Sequence, residues 1–119
     1  MRMTVQLERY TITLLVLRPD APKLDEKAAA ALQDAHMSHL ADLHESGRTL
    51  AGGPLFDDQF RGLSIMRATP EEARVLVEQD PAVRIGRFSV KAITWMVPAG
   101  AMHFTPTRFP RSAAEVEGV

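Results

Sequence analysis

The sequence contains no cysteine. That excludes disulfide staples, thiolate nucleophiles, iron–sulfur ligation and cysteine-based zinc sites. Neither sign of charge is in excess: 14 Lys and Arg stand against 15 Asp and Glu, for a net charge of −1. A broad basic nucleic-acid footprint is therefore not expected, although a local patch is compatible with this balance. Long hydrophobic runs are absent as well. The only apolar stretch near the start, Ile12 to Leu17, is interrupted by Thr13 and lies behind Glu8 and Arg9, with no small-residue cleavage site after it. It falls far short of the ~20 apolar residues of a membrane span, so neither a signal peptide nor a membrane anchor is expected, and a cytoplasmic location follows by default. No G-x-x-x-x-G-K-[ST], G-x-G-x-x-G or G-x-S-x-G motif occurs, so phosphate loops, dinucleotide fingerprints and nucleophile elbows are missing. What is present is 119 residues with a 45% apolar fraction, enough for one domain with its own core. Its chemistry must come from His, Asp, Glu, Ser, Thr, Tyr, Arg or Lys, and four histidines need explaining.

Residues 1–8 read as a mobile leader. Tyr10 to Leu17 is a β-branched run stopped by Pro19 and Pro22. Its second half is apolar on both faces, which predicts a central strand covered on both sides. Asp25 can cap a helix running to Ser46, with Gly47 in the position just past its end. Arg48 to Ala51 is a short strand, ended by Gly52-Gly53-Pro54, and Gly62 to Arg67 alternates as a third. Thr69-Pro70-Glu71-Glu72 carries the capping-box pattern of a helix that reaches about Gln79. Asp80-Pro81 then opens a short turn over Ala82 to Gly86, and Phe88 to Val97 is the last strand.

The order β-α-β-β-α-β predicts an α+β, ferredoxin-like sandwich with two helices on one face of a four-stranded antiparallel sheet. Nothing is left to cover the other face. Apolar residues of the first strand, with Phe88 and Val90 or Ile93 and Trp95 of the last, would be exposed there. Such a face marks an interface, so a homodimer with the two sheets packed into an α+β barrel is expected. Residues 9–98 form this domain. Residues 99–119 are a tail that can dock through Met102, Phe104 and Phe109, with Ser112 to Val119 expected to be disordered.

The helix stripe Leu32, His36, Leu40, Leu43 contains a histidine. At ~100° per residue, His36 lies about 40° from Leu32 and about 20° from Leu43, inside the apolar face. Two readings stand: a general acid/base, or a buried imidazole satisfied by a backbone carbonyl. Asp80 is the candidate partner, since it ends the second helix, which runs beside the first. It can equally be an N-cap before Pro81, and its two oxygens allow both roles. His36 and His39 make an H-x-x-H pair, but no third metal ligand shares their face, and no metal is expected. His39 reads as a half-buried polar residue close to His36. The Gly52-Gly53-Pro54 segment could bring its glycine N–H groups, with Pro54 beside them, to an anion or oxyanion, or could simply make a turn with positive φ. Arg84 and Arg87, near Asp80, could hold an acidic substrate or be solvated.

The stretches AHMSHLADLHESGRTLAGGPL and GLSIMRATPEEARVLVEQDPAVRIGRFSVKAITWMVP together resemble the YCII-related (YciI-like) proteins. They share a helix histidine eleven residues before a glycine, an A-G-P-like turn and D-P-x-V after the second helix. The resemblance covers about residues 9–98. It implies a dimeric ferredoxin-like fold similar in architecture to muconolactone isomerase, and a His–Asp site falling on His36 and Asp80. One branch of the family dehydrochlorinates a chlorinated hydroxyquinol. Gly52 stands where alanine is common, and the tail is longer than the pattern.

Two functions are therefore weighed. In the first, His36 oriented by Asp80 moves a proton on a small cyclic or carboxylated substrate, as a lyase or isomerase with no cofactor, with His39, Gly53, Pro54 and Arg84 around the substrate. In the second, the dimer is a non-enzymatic small-ligand-binding or accessory module. A nucleic-acid role is not expected, because Tyr10 is a solitary aromatic on the central strands.

Overall fold

The computed structural model describes residues 2–117. Four strands, β1 (Leu7–Leu17), β2 (Thr49–Pro54), β3 (Phe60–Met66) and β4 (Phe88–Pro98), form one sheet in the order β2-β3-β1-β4. All neighbouring strands are antiparallel. The helices are α1 (Glu26–Glu45), α2 (Pro70–Val77) and a single turn α3 (Pro81–Arg84). This is the expected ferredoxin-like α+β arrangement, with the turn after Asp80 closed into a short helix.

The helix ends follow from local chemistry. The Asp25 carboxylate accepts the Ala28 N–H at 2.8 Å, satisfying one of the orphan donors of the first turn. Past Ser46 the chain leaves α1 at Gly47, whose φ of 81° is open to glycine at little cost. Thr69 caps α2 through its Oγ1, which accepts the Glu72 N–H at 3.2 Å.

The core lies between the helices and one sheet face. Leu15, Met66, Phe88 and Val90 meet Leu43, Ala73, Val77 and Ala82. Met66 and Ala73 are wholly buried. Thr11 and Thr13 share this face because their hydroxyls donate inward, to the Ala68 carbonyl at 2.6 Å and the Met66 sulfur at 3.9 Å. The strand phase of β4 is thereby fixed. Phe88 and Val90 belong to the core, so Ile93 and Trp95 are the apolar residues of the other face. There they pair across the ladder with Ile12 and Tyr10.

Three expectations need correcting. β1 starts at Leu7, so the leader is shorter than residues 1–8; Leu7 and Glu8 are held by the ladder to Pro98 and Val97. Gly52-Gly53-Pro54 is not a turn with positive φ. It continues β2, paired with Ser64, Leu63 and Gly62, and the described residues with positive φ are Gly47, Gly86 and Gly100. Gly52 is needed for a different reason: a Cβ there would lie 2.8 Å from the Ser64 hydroxyl. Third, the stretch from Ser112 that is expected to be disordered has structure as far as it is described, and the tail ahead of it is docked. Phe104 packs edge-on against Tyr10, and Phe109 stacks on His44 at 4.1 Å. Arg111 forks between Asp42 and Glu45 of α1. A 3-10 turn at Ala113–Glu115 follows, its Ala113 N–H donating to Asp34. Of the stretch expected to be disordered, residues 118 and 119 lie outside the described residues.

The tail leaves β4 beside Glu8, whose carboxylate accepts the Gly100 N–H and the Tyr10 hydroxyl, each at 2.7 Å. These bonds, the Gly100 one foremost, hold the Glu8 carboxyl below the usual carboxylate range. The interaction is present at pH values above that range and is lost as the pH falls through the lowered pKa. Hydrogen exchange should show the Gly100 amide protected at neutral pH and unprotected in acid. Protection that is constant with pH would contradict this anchor.

Candidate active site

The joint between α2 and α3 is built around Asp80. Its N–H donates to Val77, and its carbonyl accepts the Val83 and Arg84 N–H groups. Its Oδ1 accepts the Ala82 N–H at 2.8 Å, capping α3. Its Oδ2 receives the Nδ1 of His36 at 2.5 Å. The side chain is completely buried. A carboxylate buried this deeply requires donors at both oxygens, and the chain supplies one from its own backbone and one from α1.

His36 sits on the inward stripe of α1, its side chain 12% exposed. Its ring tilts against Phe88, centroids 6.2 Å apart. Because a carboxylate only accepts, Nδ1 carries the proton, and in the neutral ring Nε2 is then the bare nitrogen. Among the described residues Nε2 has no hydrogen-bond partner, and it is not sealed from solvent. A carboxylate on one ring nitrogen with the other left free is the arrangement of an oriented general base.

The other sequence candidates separate. His39 turns to α2, where its Nε2 donates to the Leu76 carbonyl at 3.0 Å; it ties the two helices together. The H-x-x-H pair thus diverges, and among the described residues no three His, Asp or Glu side chains group as a metal site. His44 is committed twice, donating from Nδ1 to the Thr49 carbonyl and accepting the Thr107 N–H at Nε2. Gly53 and Pro54 are exposed on β2, at the opposite edge of the sheet from β4. Within one chain they do not meet His36. Arg84 is exposed on α3.

A cleft of about 270 Å³ lies near the pair, lined by neighbours of His36 and Asp80 and not by the two themselves. Its walls include Leu24, Ala29, Leu32, Gln33, Ala82 and Arg87. Leu32 precedes His36 by one helical turn, and Ala82 is the residue whose N–H holds Asp80. Arg87 lies over the Phe88 ring, its Cζ 5.0 Å from the centroid. Sequence reasoning grouped Arg87 with Arg84 and left Phe88 on either sheet face. The available signal was Gly86, whose φ of 89° turns the chain so that Arg87 and Phe88 start β4 beside α3.

Replacing Asp80 by Asn tests the orientation. The amide oxygen can still cap α3, but the amide nitrogen then faces Nδ1 as a donor. His36 should switch to the tautomer protonated at Nε2, read from its ring ¹⁵N shifts at a pH where the ring is neutral. An unchanged tautomer would contradict the assignment. Asp80→Ala should also cost about 3 kcal/mol or more by chemical denaturation, since the cap and a buried partner go together.

Residues 12–97 match the model of the YCII-related domain. Among solved structures, the chain is similar to 5-chloro-2-hydroxyhydroquinone dehydrochlorinase (TftG) from Burkholderia phenoliruptrix AC1100, in complex with 2,5-dihydroxybenzoquinone. The TM-score is 0.52 at 22% identity, covering 72% of this chain and 90% of that one. At that identity the likeness shows the shared fold. No protein of curated function matches the chain in sequence.

Proposed function

The chain belongs to the YCII-related domain family, and on that premise we propose that it is a small-molecule enzyme in which His36 is the general base and acid. The observation that carries this reading is the buried Asp80 carboxylate on Nδ1, which leaves Nε2 as the basic nitrogen. In the forward step the Nε2 lone pair takes a proton from a carbon or hydroxyl of the substrate. The imidazolium that forms is stabilised by Asp80, already in place and needing no reorganisation. For a lyase, the electrons of the broken C–H bond form the new double bond, and a leaving group departs with its own bonding pair. For an isomerase, the same proton returns to another carbon. The neighbour's name describes loss of chloride from a small hydroxylated ring. That supports elimination on a single-ring substrate as the first chemistry to assay.

Chloride release from 5-chloro-2-hydroxyhydroquinone is the direct assay. His36→Asn should lower kcat by about 10²- to 10⁴-fold, the usual worth of a positioned acid–base group, while the far-UV spectrum is unchanged. A folded His36→Asn protein with undiminished turnover would overturn the reading.

The proposal includes a second copy of the chain. On the sheet face away from the helices, Ile93 is 48% and Trp95 37% exposed, flanked by half-buried Ile12, Leu14 and Ile65. Among the described residues, Phe104 covers the Tyr10 corner of this face. Contiguous apolar surface of this kind favours burial against a like face. Sedimentation equilibrium at micromolar concentration should give a dimer that Trp95→Lys dissociates. A monomeric wild type would contradict it.

A further inference from the structure

We propose that the cleft beside His36 binds a small organic anion, and that Arg87 is the residue that holds its carboxylate or phenolate oxygen. This rests on the reading of His36 and Asp80 as an acid–base pair, and it adds the charge of the ligand and the group that recognises it.

Arg18, Arg48, Arg74, Arg108 and Arg111 each have a carboxylate within ion-pair distance. Among the described residues Arg61 and Arg87 are half-buried with none, and of these two it is Arg87 that lines the cleft. A partly desolvated guanidinium gains more from an anion than a solvated one does, and its planar fork matches a carboxylate or phenolate. Its guanidinium lies over the Phe88 ring, and among the described residues it makes no side-chain hydrogen bond.

Its position is also fixed. The Arg87 N–H donates to the Ala82 carbonyl at 3.1 Å, and the Arg87 carbonyl accepts the Arg18 N–H at 2.9 Å. The backbone of the arginine is therefore tied both to α3, the element that Asp80 caps, and to the end of β1. A binding group tied to the short helix that Asp80 caps keeps its distance to the imidazole that Asp80 holds.

The walls define the rest of the ligand. Leu24, Ala29, Leu32 and Ala82 are apolar, and Gln33 is the other polar lining residue. At about 270 Å³ the cleft lies just below the ~300–1,000 Å³ of drug-sized pockets. It suits a single ring or a short acid and not a nucleotide. Phe88 touches both functional groups, with its centroid 5.0 Å from the Arg87 Cζ and 6.2 Å from the His36 ring. Phe88 is itself buried and packs beside both groups, so cation and base are neighbours of one side chain, within reach of a one-ring ligand held by Arg87. The same cation favours the negative charge left on the ligand when His36 removes a proton.

Titration of the full-length protein with benzoate, followed by ¹H–¹⁵N NMR, tests this without any turnover. Benzyl alcohol is the neutral probe of similar size. Benzoate should bind saturably and shift the Arg87 and His36 resonances, and benzyl alcohol should bind at least about tenfold more weakly. Arg87→Met, which keeps an aliphatic cover on Phe88, should weaken benzoate by about tenfold or more. Arg87→Lys should lose less, and Arg84→Met should bind as the wild type does. His36→Asn should still bind benzoate. That arm separates the two proposals, because anion binding survives there even if the acid–base reading fails. Equal benzoate affinity in folded Arg87→Met and Arg87→Lys, an equal loss in Arg84→Met, or no saturable binding by the wild type would each overturn the anion site.

Discussion

The contact between Asp80 and His36 is the interaction on which the arrangement of this protein depends. A carboxylate with no solvent exposure is tolerated only when its oxygens are paired. Here one oxygen accepts the Ala82 N–H and the other the His36 imidazole. The first bond starts α3. The second brings α1 against it. The two bonds thus satisfy a stability requirement and fix the imidazole in the same step. The histidine that satisfies the buried acid is, by the same bond, held in one tautomer with its second nitrogen unpartnered. The cleft nearby is walled by the approach to α1, by α1 itself, by α3 and by Arg87 ahead of β4.

The remaining histidines show what makes His36 different. His39 spends its Nε2 on a carbonyl of α2, and His44 uses both nitrogens, one on β2 and one on the tail. Each is a clamp between elements. The tail depends on the second of these, since Phe109 stacks on the His44 ring and Arg111 binds the acids beside it. The tail therefore lies along the outer side of α1, and apart from Phe104 on Tyr10 it leaves the apolar sheet face open.

Much of this was legible in the sequence, for identifiable reasons. Element order followed from strong punctuation: Asp25, Gly47 and Thr69-Pro70 each act through bonds within one turn. His36 stood out because a polar residue within an apolar helical stripe needs a partner. Asp80 stood out because a cap has a spare oxygen. What failed depends on tertiary contact. Gly52 looked like a turn glycine, but its small size serves the approach of Ser64 from the next strand. The phase of β4 could not be read because Phe88 and Val90 offer one apolar face and Ile93 and Trp95 the other. Only the packing of α2 and α3 selects between them. Arg87 was indistinguishable from Arg84 for the same reason: three residues apart, one lines the cleft and the other is solvated.

With Asp80 on Nδ1, the His36 Nε2 is a free, basic nitrogen, whereas both nitrogens of His44 are engaged. Residue-resolved carbethoxylation by diethyl pyrocarbonate, mapped by mass spectrometry, measures this directly. The expected result is modification of His36 together with the exposed His103, slow modification of His44, and selective slowing at His36 when benzoate is present. A His36 as unreactive as His44 would show a sealed core imidazole and contradict the acid–base reading.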